Sequence, residues 1–354
     1  MASAGYISYP TTTIAGVGAL SNLPCVIDLA DAFGAAGFDW ADVRSDGGNV
    51  YVTDDADVRM PAYIEEIDTT AETGLLWIRK PSYNGGTSST VRIYIDDLAV
   101  TAPAVSAAYG RNEVFQDSFH ALLFQNGDLV DATGNYPDMT DSTSVSGTDG
   151  KVGDGFEFAA NERIYNPSVG DYKNSTTLST RSWVKLQAVG AGSLRAVLSS
   201  HWDVLNSGNR IYSLLVSNTG IAVNLSINGN ATTNSQEFAT PIGLNTWMRV
   251  TLVKDGASYK VYKNGQLIAT TATTAITLPG GGVGYLSLGR QYNAHGSLDG
   301  FMDNHIMSLD VWSDDYIKAT YENENDPAAF WGAPTWVPAT APSPIFIPQI
   351  INLV

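Results

Sequence analysis

The chain has 354 residues, enough for two domains, so a single small module stabilised by cross-links is excluded. Its 36 acidic and 19 basic residues give a formal charge of −17, which repels the phosphate backbone of nucleic acids. The single cysteine, Cys25, excludes an intramolecular disulfide and a thiolate zinc site. No apolar run approaches the roughly 20 residues of a membrane-spanning helix.

The residues after Met1 lack the basic stretch and apolar stretch of a standard secretion signal. We therefore expect a processed chain, a different export route, or a protein assembled inside the cell and released later.

The first third of the chain predicts short β-strands between turns. Asn49–Thr53, Gly74–Arg79 and Thr90–Ile95 are rich in β-branched and aromatic residues, which favour strands. The small, nearly uncharged stretch Asp97–Gly110 predicts a connector. We therefore predict an N-terminal β-sandwich domain over residues 1–111.

The next 200 residues show clearer hairpin signals. Trp247–Val253, Tyr259–Tyr262 and Gln266–Ala269 are separated by Asp-Gly and Asn-Gly pairs, which favour tight hairpin turns. Several antiparallel strands in this pattern predict a jelly-roll sandwich over residues 112–328. Only Asp314–Glu322 has a helical pattern, and we expect that helix to cap the sandwich. The whole chain is thus predicted to be all-β.

Residues 329–354 differ in composition, since Lys318 is the last basic residue and prolines recur after it. Repeated prolines favour an extended chain without internal hydrogen bonds. Exposed apolar side chains at its end would need a cover, which predicts docking on a partner or on the chain's own sandwich. The predicted docking residues are Ile345, Phe346, Ile347, Ile350, Ile351 and Leu353.

Several motifs occur in the order of a known family. The segment Gly150–Phe158, the strand Ser179–Lys185, the run Leu286–Gly289 and the block Leu298–Asp303 together resemble the laminin-G-like, concanavalin A-like jelly roll. The resemblance spans about residues 115 to 325 and implies a lectin-like sandwich. Asn304 stands where the family usually has Glu, so the resemblance gives no second carboxylate there.

Two weaker resemblances cover the ends of the chain. Asp46–Asp55, Pro61–Glu65 and Leu76–Pro81 resemble an uncharacterised prokaryotic β-domain that often precedes such jelly rolls, and no chemistry comes with it. The ending from Tyr321, with its aromatic and proline-rich stretches, resembles the tails of jelly-roll proteins among tailed-phage structural proteins.

Catalytic residues are not evident, so we predict that the protein is not an enzyme. Glucanases that share this fold carry paired carboxylates on alternate residues of one strand, and no such run occurs. Glu322 and Glu324 are two residues apart, but at the end of a capping helix we expect both to be solvated charges. The four histidines show no metal-ligand spacing.

The family resemblance implies one possible cofactor, a calcium ion, which takes oxygen ligands. Asp131 and Asn135 match an early Asp-x-x-Gly-Asn loop of the family, and Asp303 matches a late aspartate that lies near it. The alternative is that Asp131 and Asn135 only bond their own backbone, as such residues usually do in loops with glycine.

Two polar and aromatic loops are predicted to bind carbohydrate, because an aromatic ring stacks on a sugar while amides and carboxylates bind its hydroxyls. The candidates are His201, Trp202, Asp203, Tyr292 and His295. The alternative is that Trp202 fills the core and His295 is an ordinary turn residue.

These features together favour a non-enzymatic display protein of a tailed-phage virion, as a head decoration, fibre or tail-associated component. Its expected partners are other virion proteins through the tail, host or environmental glycans, and further copies of itself. The alternative is a secreted or surface bacterial adhesin that binds carbohydrate, located outside the cell.

Overall fold

The computed structural model describes most of the chain. The described residues are 5–34, 37–118, 120–122, 129–141, 146–159, 161–168, 175–188, 196–202, 210–217, 219–226, 233–240, 242–272, 278, 285–291 and 296–338. The described part is nearly all β, as the composition predicted, and it forms two sandwiches.

The first sandwich contains six N-terminal strands. They are β1 Gly5–Pro10, β2 Ala19–Asp28, β3 Val50–Asp54, β4 Ala62–Asp68, β5 Thr73–Asn84 and β6 Thr90–Ile95. The short helices α1 Leu29–Phe33 and α2 Arg111–Val114 and a 3-10 turn at Trp40–Asp42 complete this region. The three strands predicted from the sequence correspond to β3, β5 and β6 and are confirmed, except that Asn49 precedes β3.

Two sheets of the first sandwich enclose one apolar core. Alternate residues of each strand point inward, so Ile7 and Ile93 of one sheet meet Leu23 and Ile78 of the other. The three-stranded sheet has the order β2-β5-β4. The four-stranded sheet contains β1, β6 and β3, and its fourth strand comes from the far end of the chain.

Among the described residues, the second sandwich contains fifteen strands. They are β7 His120–Leu122, β8 Thr140–Asp141, β9 Ser146–Asp149, β10 Asp154–Phe158, β11 Ile164–Asn166, β12 Thr177–Leu186, β13 Ala196–Trp202, β14 Arg210–Val216, β15 Ile221–Ser226, β16 Thr233–Phe238, β17 Met248–Asp255, β18 Ser258–Lys263, β19 Gln266–Ala272, β20 Leu286–Gly289 and β21 Gly300–Ser308.

These strands form two antiparallel sheets. The eight-stranded sheet has the order β19-β18-β17-β12-β21-β10-β9, and β7 pairs with β21. The seven-stranded sheet has the order β16-β15-β14-β13-β20-β11-β8. Between them lies the largest core cluster of the described residues, which includes Leu198, Leu214, Leu252 and Met302. The predicted jelly-roll sandwich is therefore confirmed.

The hairpin of β18 and β19 shows how local sequence sets this geometry. Asn264 and Gly265 join the two strands and have φ angles of 51° and 73°. Positive φ at both central residues fits the twist of a two-residue hairpin, and Asn and Gly adopt it most readily. The Asn-Gly pair therefore fixes the register of these two strands.

The C-terminal region connects the two sandwiches through helix α3, Asp314–Asn325. Ser313 begins the helix, since its Oγ accepts a hydrogen bond of 3.1 Å from the Tyr316 amide, and the predicted helix is thus confirmed. Ala319 packs into the core of the first sandwich, whereas Ile317 packs into a cluster shared by both sandwiches. The helix therefore lies between the two sandwiches.

The chain then returns to the first sandwich through α4, Pro327–Phe330, and β22, Thr335–Pro338, which pairs with β1. Trp331 is 1% exposed, stacks on Tyr9 with ring centroids 5.3 Å apart, and donates a 2.8 Å hydrogen bond to the Val26 carbonyl. Up to Pro338, the segment predicted as a tail is therefore part of the first sandwich.

The six predicted docking residues Ile345, Phe346, Ile347, Ile350, Ile351 and Leu353 lie outside the described residues. Their docking role stays a prediction.

Candidate functional site

Of the predicted carbohydrate-binding residues, the structure describes His201 and Trp202, at the end of β13. His201 is fully buried on β13 and lies opposite Tyr212, a core residue. Trp202 ends the same strand, and its side chain lies outside the described part. Asp203, Tyr292 and His295 also lie outside the described residues, so this group stays a prediction.

A row of polar residues crosses the seven-stranded sheet on the face away from the core. We call this set the polar row; it comprises Tyr165, Ser287, Ser200, Ser213, Asn224 and Ser235. Each member lies directly opposite the next one on the neighbouring strand, so the row crosses six strands, from β11 to β16.

Strand alternation explains why these side chains share a face. Ser287 lies between Leu286 and Leu288, and both leucines point into the core. Asn224 is likewise flanked by two core residues, Val223 and Leu225. Because successive side chains of a strand point to opposite faces, Ser287 and Asn224 point away from the core.

Hydrogen bonds and aromatic contacts order the row. Gln291 donates a 2.9 Å bond from Nε2 to Ser213 Oγ, and Ser235 Oγ donates a 2.7 Å bond to Asn224 Oδ1. At the other end, the rings of Tyr165 and Tyr285 lie with centroids 5.1 Å apart at an angle of 54°.

The row contains hydroxyl, amide and phenol groups and no ionisable acid or cation at neutral pH. Ser200 and Ser287 are fully buried, and neither hydroxyl has a hydrogen-bond partner in the part of the chain that the structure describes. Asn224 and Tyr165 are half-buried, and Ser235 is exposed. Such groups can donate and accept hydrogen bonds to a neutral polyhydroxyl ligand.

The cationic side chain of Arg163 lies beside the aromatic end of the row. The guanidinium carbon of Arg163 lies 4.8 Å from the centroid of the Tyr165 ring, a cation–π distance. It covers one face of that ring and restricts its orientation.

The sequence prediction did not include the polar row. Its only local signal is a serine or asparagine inside an otherwise apolar strand, as in Arg210–Val216 and Leu286–Gly289. Such a signal does not say which strands are neighbours. Only the register brings Ser200 beside Ser287.

The first predicted calcium ligand, Asp131, accepts hydrogen bonds mainly from residues of its own loop. Its Oδ1 accepts a 3.1 Å bond from the Ala121 amide, and its Oδ2 accepts bonds from Thr133 Oγ1 at 2.7 Å, from the Asn135 amide at 3.1 Å and from the Tyr136 amide at 3.0 Å. The carboxylate thus faces hydrogen-bond donors, and Asn135 contributes its backbone.

The other predicted ligand, Asp303, holds a different loop. Its Oδ2 accepts two 2.8 Å bonds from the amides of Lys151 and Val152. Burial raises the pKa of the Asp303 carboxyl to about 8. Within the described residues, no three or more His, Cys, Asp and Glu side chains form a group that could hold a metal ion. Calcium binding stays a prediction.

The expectation that Glu322 and Glu324 are both solvated is wrong for Glu324. That residue is 1% exposed, and its carboxylate forms ion pairs with Arg181 at 2.6 Å and Arg249 at 3.3 Å. Trp183 donates a 2.7 Å hydrogen bond from Nε1 to the same carboxylate. The helix lies between two sandwiches instead of on a surface, which buries its inner face. Glu322 is half-buried.

The buried ion pair with Glu324 affects the pKa of Arg249. Burial lowers the pKa of the Arg249 guanidinium to about 10, while the Glu324 carboxylate opposes that shift. The three charges therefore depend on one another between the two sandwiches.

Among the described helices, none has the length and apolar character needed to cross a membrane.

A known family matches part of the second sandwich. Residues 158–317 match the family model described as the Concanavalin A-like lectin/glucanases superfamily. A search of the curated proteins gave no match.

Several solved structures are similar to this chain at low identity. Domain 4 of AbnA, a GH43 extracellular arabinanase from Geobacillus stearothermophilus solved with arabinotriose, is 16% identical with a TM-score of 0.48, covering 58% of this chain and 98% of that one. The botulinum neurotoxin serotype D binding domain is 17% identical with a TM-score of 0.48, covering 59% and 52%.

The binding domain of Paraclostridial Mosquitocidal Protein 1 is 12% identical with a TM-score of 0.48, covering 58% of this chain and 52% of that one. The chain thus spans about half the length of the two toxin binding domains. The match to the family model covers residues 158–317, less than half of the chain, and these residues lie in the second sandwich.

Proposed function

We propose that the second sandwich is a non-catalytic glycan-binding domain, and that the outer face of its seven-stranded sheet holds the ligand. The observation that carries this proposal is the polar row, which exposes hydroxyl and amide groups of Asn224 and Ser235 at one end and two half-buried tyrosines at the other. The family match of residues 158–317 supports the same function.

The chemistry of the row fits a neutral sugar. The exposed Ser235 hydroxyl and the half-buried Asn224 amide can pair with sugar hydroxyls, and the exposed part of Tyr165 or Tyr285 provides an apolar surface for a pyranose ring. Ser200, Ser213 and Ser287, in the middle of the row, are fully buried. The net charge of −17 disfavours polyanionic glycans, since long-range repulsion lowers their local concentration. We therefore expect uncharged oligosaccharides or polysaccharides.

The proposal assigns binding without bond cleavage. Hydrolysis of a glycosidic bond requires two carboxyl groups that flank it, and the polar row contains none. Glu324 is held between two arginines and is buried away from this face.

The proposed setting is a tailed-phage virion on which this protein is displayed, with a bacterial surface adhesin as the alternative. The proline-rich ending and the sequence resemblances motivate it. Mass spectrometry of purified particles tests the virion setting, and particles without this polypeptide would contradict it. A reading frame that extends upstream into a basic and apolar leader would favour the adhesin.

Glycan binding is tested with an array of neutral glycans followed by calorimetry on the best ligand. Tyr165→Ala and Asn224→Ala change half-buried residues of the row, so both variants should fold. Each should weaken binding by about tenfold, because one stacking or hydrogen-bonding contact is worth about 1 kcal/mol or more.

The matched control is Trp247→Ala, which removes a half-buried aromatic residue that contacts Phe301 of the eight-stranded sheet. It should bind like the unmodified protein. Loss of binding in the control alone, or no binding to any glycan, would overturn the proposal.

A further inference from the structure

The first sandwich has a small cavity at the side where its two sheets end. Among the described strands, β3 is the last strand of one sheet and β4 is the last strand of the other, and both contribute to the cavity. The connector 97–110 lies over this opening and adds to the lining. We call this space, of about 230 Å³, the edge cavity; its lining includes Val50, Ile64, Leu76, Pro103, Val105 and Arg111.

Most of the residues that line the edge cavity are apolar. Leu76 is fully buried in the core cluster of the first sandwich, whereas Val105 on the connector is 50% exposed, so the cavity extends from the surface to the core. An apolar group that enters the cavity leaves water, which favours binding. The volume equals that of about eight water molecules at about 30 Å³ each, so a ligand of about eight to ten non-hydrogen atoms fits.

Hydrogen bonds hold the connector over the cavity. The Ala62 amide of β4 donates a 3.2 Å bond to the Tyr109 carbonyl. Near the other end of the connector, Arg44 donates a 3.0 Å bond from Nη1 to the Leu98 carbonyl. These bonds fix the cover before a ligand binds, which lowers the entropy cost of ordering the site.

Arg111 places a positive charge in the edge cavity. Its guanidinium carbon lies 5.7 Å from the centroid of the Tyr63 ring, which also lines the cavity. The Nε atom of Arg111 is buried and has no hydrogen-bond partner among the described residues. A buried donor without a partner costs free energy, and a carboxylate that binds there removes this cost. The guanidinium presents its N–H donors in one plane, a geometry that matches carboxylate oxygens.

Asp46 also lines the cavity, but its charge is already paired. Arg44 donates two 2.8 Å hydrogen bonds, from Nε and Nη2, to the two carboxylate oxygens of Asp46. Arg79 and Arg92 of the same sandwich likewise form ion pairs with aspartates. No ion pair in the described part of the chain includes Arg111. Arg111 therefore selects a ligand with a negative charge.

We propose that the edge cavity binds a small monocarboxylate with an apolar body, a free carboxylic acid of about six carbon atoms. The carboxylate accepts hydrogen bonds from the Arg111 guanidinium, and the apolar body packs against Val50, Ile64 and Leu76. This site lies in the first sandwich and is separate from the polar row, so it does not depend on glycan binding.

Calorimetry of the full chain with hexanoate tests this inference, with hexanol, acetate and decanoate as comparison ligands. We expect hexanoate to bind at one site per chain. Hexanol lacks the charge and acetate lacks the apolar body, so each should bind at least about tenfold more weakly. Decanoate should bind no more tightly than hexanoate because its longer chain does not fit, which distinguishes a free small acid from the acyl chain of a lipid.

Variants separate the contributions of charge and shape. Arg111→Gln should weaken hexanoate binding at least about tenfold and leave hexanol binding unchanged. Ala62→Leu puts a larger side chain into the lining and should weaken the binding of both ligands. The matched control is Arg59→Gln, which should bind hexanoate like the unmodified protein. Arg59 also lies over a tyrosine, 5.2 Å from the Tyr51 centroid, but it does not line the cavity.

Melting temperatures close to that of the unmodified protein would show that the variants fold. Hexanol that binds as tightly as hexanoate, decanoate that binds more tightly, or unchanged hexanoate binding in Arg111→Gln would overturn the inference. The absence of hexanoate binding to the folded protein would overturn it as well.

Discussion

Replacing Glu324 by glutamine should destabilise both sandwiches together. The carboxylate lies between the guanidinium groups of Arg181 and Arg249, and all three side chains are at most 1% exposed. Glutamine keeps the shape and one acceptor oxygen but removes the negative charge. Two buried cations then remain without a counter-charge, and water does not reach them.

The expected loss is about 3 to 5 kcal/mol, the usual cost of removing one partner from a buried ion pair. For a domain of 150 to 250 residues, each kcal/mol lowers the melting temperature by about 2 to 4 °C, so the shift should be on the order of 10 °C. The helix contacts both sandwiches through Ala319 and Ile317, so both should lose stability.

Calorimetry and urea unfolding measure this effect, and Glu322→Gln is the matched control. Glu322 lies on the same helix but is half-buried, so its variant should stay within about 0.5 kcal/mol of the unmodified protein. Equal melting temperatures for the two variants would refute the reasoning.

A further variant separates charge from packing. Changing Arg181 and Arg249 to Met and Glu324 to Leu removes all three charges, and buried ion pairs are often replaced by apolar groups without loss. The triple variant should therefore recover most of the stability that Glu324→Gln loses. Continued loss would show that shape, not charge, is decisive.

Burial and the neighbouring His120 hold the pKa of His305 well below 6.5, so the unfolded chain gains a proton that the folded one does not as the pH falls. The contribution of His305 to stability should therefore decrease from about pH 7.5 to about pH 5, whereas the raised pKa of Asp303 acts in the opposite direction. Stability should accordingly be less favoured by rising pH in His305→Gln than in the unmodified protein, and equal slopes would contradict this. Calcium binding by Asp131 and Asp303 should raise the melting temperature, because a hundredfold excess over Kd adds about 2.7 kcal/mol to the free energy of unfolding. Identical melting curves in calcium and in chelator would reject the site. Removing Phe346–Val354 should leave the melting temperature unchanged, because Trp331 and β22 hold the chain to the first sandwich, and should abolish attachment of the protein to its partner particle. Ile350→Asp should weaken this attachment with little effect on the melting temperature, whereas unfolding of the truncated protein would contradict the docking role.

Only part of the candidate site was accessible from the sequence. The sugar-binding loops were predicted from residue types, yet His201 lies fully buried opposite a core tyrosine. The polar row was missed because serines such as Ser200 and Ser287 carry no signal in isolation. Their significance comes from pairing between strands that are distant in the chain.

The sequence alone determined the all-β class, the hairpin at Asn264 and Gly265 and the helix that begins after Ser313, because turn and cap chemistry acts between neighbouring residues. Tertiary structure decided the burial of Glu324 and the return of Trp331 to the first sandwich. Burial depends on which distant surfaces meet, and local sequence does not specify that. The register across the seven-stranded sheet has the same origin, since many side chains and backbone pairs set it together.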